Sequence, residues 1–324
     1  MIHKRNVSIM QNMGGKMNQQ LDTHFYNFLA EGNIIADSNA QCAEEVIAEL
    51  VRLLAKNTAG LDAKSLLEDV MLREKRMPTV ISSGLAVPHA RSEQIDRLLV
   101  GMATSRRGID FHVPGMGLVH VVILVLTPAD DPGLHLQVLS ALASDFKEPK
   151  VVNEVADLAN ARGVLNYFTC SHLELPQFLR ARDVMTPPKV CLLENNTLSE
   201  AIEVFATKNV DEIPVVDESN EIRGIVSLSD LLKFSLPEHL LWMDDLSLIY
   251  RFQPFAEVLQ SAEETKVADF MHEEYISVQE DIPAVQLAKL FLVHKVQKLF
   301  VVKGEKTLSG VVELKDFSAK LFWE

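Results

Sequence analysis

Two histidines in the first half of the chain stand in surroundings that suit exchange of a phosphoryl group. His89 directly follows Pro88, and Arg91 lies two residues further on. Because proline fixes its own φ and offers no N–H to a sheet, we expect the chain to leave a sheet there and to present His89 at the end of a strand. A neutral imidazole is a competent phosphoryl acceptor, and a guanidinium beside it can hold the phosphate oxygens. The alternative is an ordinary surface or core histidine.

The second histidine, His135, lies at the predicted start of a helix. It follows an apolar strand at 119–126 and a turn in which Asp131 is the predicted N-cap and Pro132 the first helical residue. Apolar residues then recur at helical spacing, at Leu136, Leu139, Ala143 and Phe146. Free first-turn N–H groups and the positive end of the helix dipole favour an anion and disfavour a protonated imidazole. We expect His135 to assist His89; the alternative is a histidine that merely begins the apolar stripe.

The run around His89 resembles the active-site segment of the type-2 EIIA domains of the bacterial phosphotransferase system (PTS), in its mannitol, fructose and nitrogen-regulatory branches. The family pattern is R-E-x-x-x-x-T-G-x-G-x-G-I-A-I-P-H-x-[RK]. Eight residues match it without a gap: Arg73, Glu74, Thr79, Gly84, Ala86, Pro88, His89 and Arg91. Val80 and Ser82 replace two of its glycines, so the loop is expected to have a different shape.

The resemblance implies roles for three residues and no cofactor for the transfer itself. His89 would carry the phosphoryl group, and Arg91 would help to hold it. His135 would be the second active-site histidine, because its h-x-P-x-D…H-L context also matches the family. The implied donor is phosphorylated HPr, and the implied acceptor is an EIIB protein or a regulated target. An active protein would be a protein-histidine phosphotransferase, whereas the alternative is an EIIA-like domain that no longer accepts phosphate.

Length and composition favour a soluble, globular protein of two or more domains, and the resemblance implies a bacterial one. The chain has 324 residues, of which 48% are hydrophobic, with a mean hydropathy of +0.09. The best apolar run, 118–126, falls well short of the ~20 residues that a membrane-spanning helix needs. The segment Met1–Arg5 is followed by no apolar stretch, so we expect no secretory signal and interpret residues 1–20 as a disordered leader.

Cysteine and histidine spacing argues against a metal site. Cys42, Cys170 and Cys191 are scattered without a C-x-x-C pair, which suits a reducing compartment and neither a disulfide framework nor a zinc site. None of the ten histidines falls in an H-x-x-x-H or H-E-x-x-H pattern.

The charge is unevenly distributed. Residues 1–172 hold 16 Lys/Arg and 19 Asp/Glu, whereas residues 173–324 hold 15 and 26, so the two parts carry −3 and −11. A nucleic-acid-binding protein would need a basic surface, so this class is disfavoured. An acidic surface instead favours encounter with basic partners.

The alternation of elements over residues 21–172 predicts an α/β domain, an EIIA type-2-like mixed sheet flanked by helices. Four helices are predicted. The first starts at a capping box at 38–41, the second spans 63–75, the third starts near His135 and the fourth spans 151–161. Predicted strands lie at 98–103 and 119–126, with a short one at 79–81.

The second half contains an internal repeat with an offset of 86 positions, as from Asp183 to Asp269. Further pairs at this offset are Phe205 with Phe291, Gly224 with Gly310, and Asp230 with Asp316. Each copy is interpreted as an extended lead-in, a helix (198–207 or 284–294), two short apolar strands and a closing helix, in β-α-β-β-α order. One such copy is too small to bury its own apolar faces, so the two are expected to pack together.

The repeat resembles a pair of CBS motifs, on D-V-M-T at 183–186, I-P-V-V-D at 213–217 and G-I-V-S-x-x-D at 224–230. The resemblance implies an adenine nucleotide (AMP, ADP or ATP) in a cleft, and a homodimer formed through the CBS pair. The implied nucleotide-binding residues are Pro214, Ser227, Asp230 and Asp316.

The second copy departs from the CBS pattern. Glu313 stands in place of Ser/Thr, and Phe300 in place of Pro. A carboxylate facing a phosphate is repulsive unless a cation intervenes. The alternative is therefore a module that binds no ligand and serves dimerisation or regulation.

The expected order of domains is a leader at 1–20, the EIIA-like domain at 21–172, the first CBS motif at 178–236, an apolar helical linker at 237–264 and the second motif at 265–324. The linker is expected to be packed; if exposed, it would be a docking patch. We expect a cytosolic, regulatory phosphocarrier that is not inserted in a membrane. Two alternatives remain: a non-catalytic nucleotide sensor and a sugar-transport EIIA.

Overall fold

The computed structural model describes residues 24–131, 133–236, 242–243 and 253–322, and these fall into two compact units. The N-terminal unit comprises the residues up to Leu179 together with the C-terminal stretch from Ser318, and the repeat unit comprises Arg180–Phe317. The expected leader lies outside the described residues. Within them, no helix is long and apolar enough to cross a bilayer.

The N-terminal unit is built on one mixed sheet of six strands. The strands are β1 (Leu29–Ile35), β2 (Val80–Ser82), β3 (Leu85–Ala86), β4 (His89–Ser92), β5 (Leu99–Ile109) and β6 (Val119–Pro128). The helices are α1 (Ala43–Asn57), α2 (Ala63–Arg76), α3 (Leu134–Asp145), α4 (Pro149–Ala156) and α5 (Ala161–Ser171). The order in the sheet is β1-β5-β6-β3-β2, and β4 also pairs with β6. The pairs β1–β5, β3–β6 and β4–β6 are parallel, whereas β5–β6 and β2–β3 are antiparallel.

Strand β6 separates two apolar cores because successive side chains of a strand point to opposite faces. Val121, Ile123 and Val125 belong to the core that contains residues of α3, α4 and α5. The intervening residues belong to the core formed with α1 and α2, namely Val122, Leu124 and Leu126. The run of apolar residues therefore forms a central strand buried on both faces, and the expected α/β fold with flanking helices is confirmed.

The first helix begins later than its predicted capping box. Cys42 is bridged to Asp110, whose carbonyl accepts from the Ala43 N–H and whose N–H donates to the Gln41 carbonyl. These bonds hold the backbone extended up to Cys42, so α1 starts at Ala43 and the capping box at 38–41 was wrong.

The C-terminal helical stretch of this unit consists of two helices, where one was predicted at 151–161. Asn160 ends the segment after α4 and accepts a hydrogen bond from the Gly163 N–H through its side chain, which starts α5. Strand β1 and helix α5 were not predicted, and β5 extends to Ile109, well beyond its predicted end.

The repeat unit contains two three-stranded sheets of the same topology. The first copy contains α6 (Ala181–Val184), β7 (Leu192–Leu193), α7 (Leu198–Lys208), β8 (Glu212–Val216), β9 (Ile222–Ser227) and α8 (Leu228–Ser235). Helix α9 (Gln253–Gln260) follows. The second copy contains β10 (Ser277–Gln279), α10 (Ala284–His294), β11 (Lys298–Lys303), β12 (Thr307–Glu313) and the first turn of α11 (Leu314–Phe322), whose residues from Ser318 belong to the N-terminal unit. The sheet orders are β7-β8-β9 and β10-β11-β12.

The two copies are related by the predicted offset in fine detail. Both α7 and α10 end in a left-handed residue, Asn209 and Lys295. Bridges join Thr186 of the first copy to Val311 of the second, and the equivalent His272 of the second to Ile225 of the first. Each copy therefore pairs its lead-in segment with the last strand of the other, so neither copy is complete alone.

These reciprocal bridges explain the glycine that begins each G-h-h segment. A Cβ on Gly224 would lie 2.8 Å from the carbonyl oxygen of His272. A Cβ on Gly310 would lie 2.7 Å from Met185 Sδ and 3.0 Å from the carbonyl oxygen of Thr186. The lead-in of one copy thus approaches the backbone of the other too closely for any side chain.

Half of the expected linker at 237–264 lies outside the described residues. Within its described part, Trp242 is 81% exposed, which does not fit a packed segment at that position. Ala262 is buried in the core of the first copy.

Candidate functional site

His89 begins a strand, where the sequence predicted that it would follow one. Strand β3 ends at Ala86 and β4 starts at His89, and both lie beside β6. Pro88 lacks an N–H, but its carbonyl accepts a hydrogen bond from Val125 N at 2.9 Å. The sheet pairing is therefore interrupted only between Ala86 and His89. Proline removes one N–H donor, but its carbonyl still bonds to β6.

The tautomer of the His89 ring is fixed by its backbone contact. Nδ1 lies 2.9 Å from the carbonyl oxygen of Val87. A carbonyl oxygen can only accept, so Nδ1 carries the proton and Nε2 carries the lone pair. Within the described part of the chain, Nε2 has no hydrogen-bond partner. The nucleophilic nitrogen of this ring is therefore Nε2.

His135 occupies the second position of α3, whose N-cap is Gly133 and not the predicted Asp131. The Asp131 carboxylate accepts from the N–H groups of Gly133 and Leu134, both at 3.1 Å, so it satisfies first-turn donors from two residues before the N-cap. The predicted first helical residue, Pro132, lies outside the described residues. The His89 and His135 rings are stacked with centroids 5.5 Å apart and planes at 23°.

Both rings are buried, which the sequence did not lead us to expect. His89 is 4% exposed and His135 is 1% exposed. Burial, followed by the Arg73 charge and to a smaller extent Arg91, lowers the pKa of His89 to about 4 despite the opposing bond to the Val87 carbonyl. Burial first, then His89, Arg91 and Arg73, lowers the pKa of His135 to about 3. Both imidazoles are thus neutral at pH 7, the form that can attack phosphorus.

Two arginines supply positive charge to this site. Arg91 Nη1 donates to the carbonyl oxygen of Leu321, which belongs to the C-terminal stretch of the same unit, at 3.0 Å. Arg73 Nη1 donates to the carbonyl oxygen of Met77 at 2.9 Å, and its charge acts on both histidines. Arg73 was not among the predicted site residues, although the matched R-E pair of the motif was the signal that could have placed it there.

A series of hydrogen bonds connects Glu74 to Nδ1 of the His89 ring. The Glu74 carboxylate accepts from the Thr79 N–H at 3.0 Å and from Thr79 Oγ1 at 2.5 Å. The Thr79 carbonyl accepts from Val87 N at 2.9 Å, and the Val87 carbonyl holds His89 Nδ1. The end of α2 is thereby tied, through the loop that lacks the two glycines, to the orientation of the imidazole.

In the repeat unit, two of the predicted nucleotide-binding residues form a capping box. Asp230 Oδ2 accepts from the Ser227 N–H at 2.8 Å and from Ser227 Oγ at 2.6 Å. His272 Nδ1 also lies 2.9 Å from the same carboxylate oxygen, a close contact without the geometry of a hydrogen bond. Asp230 is buried, so this carboxylate is held in one orientation by its own copy and faced by a histidine of the other.

The second copy places a cation beside its unusual carboxylate. Lys298 Nζ lies 3.3 Å from Glu313 and donates to the carbonyl oxygen of Glu212 at 2.8 Å. Lys298 was not predicted as a site residue, although the offset of 86 makes it the equivalent of Glu212 in the first copy. Burial raises the pKa of the Glu212 carboxyl, against the opposing charges of Lys298 and His272.

The two remaining predicted residues lie elsewhere in the repeat unit. Pro214 stands in β8 opposite Ile225, and Asp316 stands in the first turn of α11. Phe300, the residue equivalent to Pro214, is buried in the core that the two copies share.

Comparison with known proteins assigns both units. The family model "Phosphoenolpyruvate-dependent sugar phosphotransferase system, EIIA 2" matches residues 27–170, and the CBS domain model matches residues 181–237 and 267–322. An uncharacterized protein of Methanocaldococcus jannaschii is 27% identical over 151 residues, 42% of this chain and 87% of that protein. The PTS system fructose-specific EIIA component of Haloferax volcanii is 26% identical over 132 residues, 40% of this chain and 86% of that protein.

A solved structure is also similar. The crystal structure of the nitrogen regulatory protein IIA-Ntr from Neisseria meningitidis is 24% identical, with a TM-score of 0.41, and the match covers 44% of this chain and 97% of that one. On the two family models, residues 27–170 form an EIIA type-2 domain, and residues 181–237 and 267–322 form a pair of CBS domains.

Proposed function

We propose that this protein is a cytosolic phosphocarrier whose His89 accepts a phosphoryl group from a phosphohistidine of an HPr-type donor protein. The observation that carries the proposal is the ring of His89, held in one tautomer with the lone pair on Nε2 and stacked on His135. The EIIA type-2 domain that surrounds it supports the same reading.

The transfer exchanges one nitrogen–phosphorus bond for another. The lone pair of His89 Nε2 attacks phosphorus, the donor's N–P bond breaks, and its electron pair returns to the donor imidazole. The proton on His89 Nδ1 stays in its bond to the Val87 carbonyl, so the ring needs no added base. Arg73 and Arg91 would neutralise the phosphoryl oxygens.

The burial of both rings supports the runner-up, a binding module that does not transfer phosphate. Since Nε2 is buried, transfer requires that donor binding uncovers it. In the runner-up the first unit keeps the EIIA fold, and the function resides in nucleotide sensing by the CBS pair.

For the repeat unit we propose an adenine nucleotide held by Ser227 and Asp230, and a homodimer formed through the CBS pair. A carboxylate held as a fixed acceptor suits ribose hydroxyls. Lys298 supplies the cation that a phosphate facing Glu313 would require. The acidic second half and the attached CBS pair favour a regulatory role, in which phosphorylation and nucleotide level act on one target protein. Sugar transport would instead require transfer from His89 to a cognate EIIB.

Label transfer tests the proposal. The full chain is incubated with a phosphorylated HPr-type donor, with and without AMP, ADP or ATP, and incorporated label is measured. The wild type is expected to take up label and His89→Ala to take up none, with His135→Ala slowed. Equal labelling of His89→Ala ends the assignment. An unlabelled wild type whose melting temperature rises with nucleotide, an effect lost in Asp230→Ala, establishes the runner-up. Release of label to an EIIB protein identifies sugar transport.

A further inference from the structure

A buried threonine beside the two histidines has a hydroxyl that the fold does not use. Thr127 is fully buried in β6. Within the described ranges its Oγ1 has no hydrogen-bond partner. A hydroxyl in such a position costs free energy unless something else satisfies it, so its place in the structure needs an explanation. Thr127 was not a predicted site residue, and the proposed transfer makes no use of it.

Alternation along β6 fixes the face on which Thr127 lies. Val121, Ile123 and Val125 face the core that includes residues of α3, so Thr127, two residues further, lies on that same face. In the parallel pairing of β4 with β6, His89 stands beside Val125, and Arg91 stands beside Thr127.

The burial pattern of β4 places His89 and Arg91 on the same face as Thr127. Ala90 belongs to the opposite core, so its neighbours His89 and Arg91 face the α3 side with Thr127. Thr127 is therefore the diagonal neighbour of His89, a separation across which side chains still reach one another. His135 stacks on His89 from α3 above this face.

The polar atoms gathered on this face match a phosphoryl group. In the residues that the structure describes, His89 Nε2, both ring nitrogens of His135 and Thr127 Oγ1 are all buried without a hydrogen-bond partner. A phosphoryl group on Nε2 would bring three acceptor oxygens among them, and a hydroxyl is a suitable donor to such an oxygen.

We propose that Thr127 Oγ1 donates a hydrogen bond to the phosphoryl group carried by His89, and that Thr127 is a phosphate-binding residue of this site. The inference rests on the proposed function, since it requires that His89 is the acceptor. The Thr127 hydroxyl would act beside the two arginines as a neutral hydrogen-bond donor that the sheet holds in place.

The chain offers a matched control in Ser105. Its Oγ is likewise fully buried and without a partner among the described residues. It lies on β5 next to Thr104, which pairs with Val121. Val121 is four residues from Val125, about 13 Å along the strand, so Ser105 is remote from His89.

The test measures label transfer from a phosphorylated HPr-type donor to the full chain, together with the thermal midpoint of the unphosphorylated protein. Thr127→Val removes the hydroxyl at nearly constant shape and is expected to slow labelling by about tenfold, the effect of one hydrogen bond to a charged group. Thr127→Ser should label within about threefold of wild type, and Ser105→Ala should label like wild type.

The thermal midpoint separates phosphate binding from a structural role. Because Oγ1 has no partner among the described residues of the unphosphorylated protein, Thr127→Val should leave that midpoint unchanged or raise it. Thr127→Ala is the second variant should Thr127→Val not fold, and the same loss of labelling is expected of it. Wild-type labelling of a folded Thr127→Val or Thr127→Ala overturns the inference alone. Full labelling of His89→Ala, or none of the wild type, overturns the proposed function and this inference with it.

Discussion

Acidification is expected to destabilise the N-terminal unit through the two buried histidines. An unfolded imidazole has a pKa near 6.5, whereas the pKa of folded His89 is about 4 and that of His135 about 3. Below pH 6.5 the unfolded state therefore binds more protons than the folded state, so stability falls as the pH falls. The loss begins near pH 6.5 and is complete, for His89, only below pH 4.

The size of the effect follows from these values. One pKa unit corresponds to about 1.4 kcal/mol, and between about pH 7 and about pH 5 the difference in proton binding amounts to about 2 kcal/mol for each ring. His89→Gln removes one of the two contributions. The variant is expected to lose about 2 kcal/mol less than the wild type over this pH interval.

Hydrogen exchange of β6 peptides, measured by mass spectrometry in increasing urea, reports the opening free energy of this unit separately from the repeat unit. Wild type and variant are compared at each pH, so that intrinsic exchange rates cancel. An equal loss for the wild type and His89→Gln would refute the argument that burial keeps this ring neutral.

Three further predictions concern single contacts. Glu74→Ala leaves the buried Thr79 N–H without its acceptor and should cost about 2 kcal/mol in urea unfolding, with a changed ¹⁵N spectrum of the His89 ring; an unaltered spectrum would remove Glu74 from the support of that ring. Gly310→Ala forces the two CBS copies apart and should cost about 1–3 kcal/mol, measured by urea unfolding of the repeat unit; a neutral effect would contradict the close approach. Lys298→Met should cost about 1–2 kcal/mol, and adding Glu313→Gln should restore part of it in a double-mutant cycle; strictly additive effects would show that the pair is not coupled.

The order of elements and the candidate histidines could be predicted from sequence because local patterns determine them. The alternation of strands and helices predicted the mixed α/β unit, and the offset of 86 predicted equivalent elements such as α7 and α10. The motif around His89 needed no tertiary information, since Pro88, His89 and Arg91 lie within four consecutive positions of the chain. The start of α1 was wrong because a distant residue, Asp110, holds Cys42 extended, and no local pattern records that bridge.

Only the tertiary structure decided how the site works. The chain positions of His89, Thr127 and His135 do not reveal that β4 rejoins the sheet, that Thr127 faces the same side, or that the second imidazole stacks on the first. Burial sets the protonation of both rings, and burial is a property of the packed layers on β6. The sequence by itself determined that His89 and His135 could carry the chemistry. The contact that leaves Nε2 as the nucleophilic nitrogen is local, since Val87 lies two residues before His89. The long-range pairing of strands and helices decided what surrounds this ring, because those contacts join residues far apart in the chain.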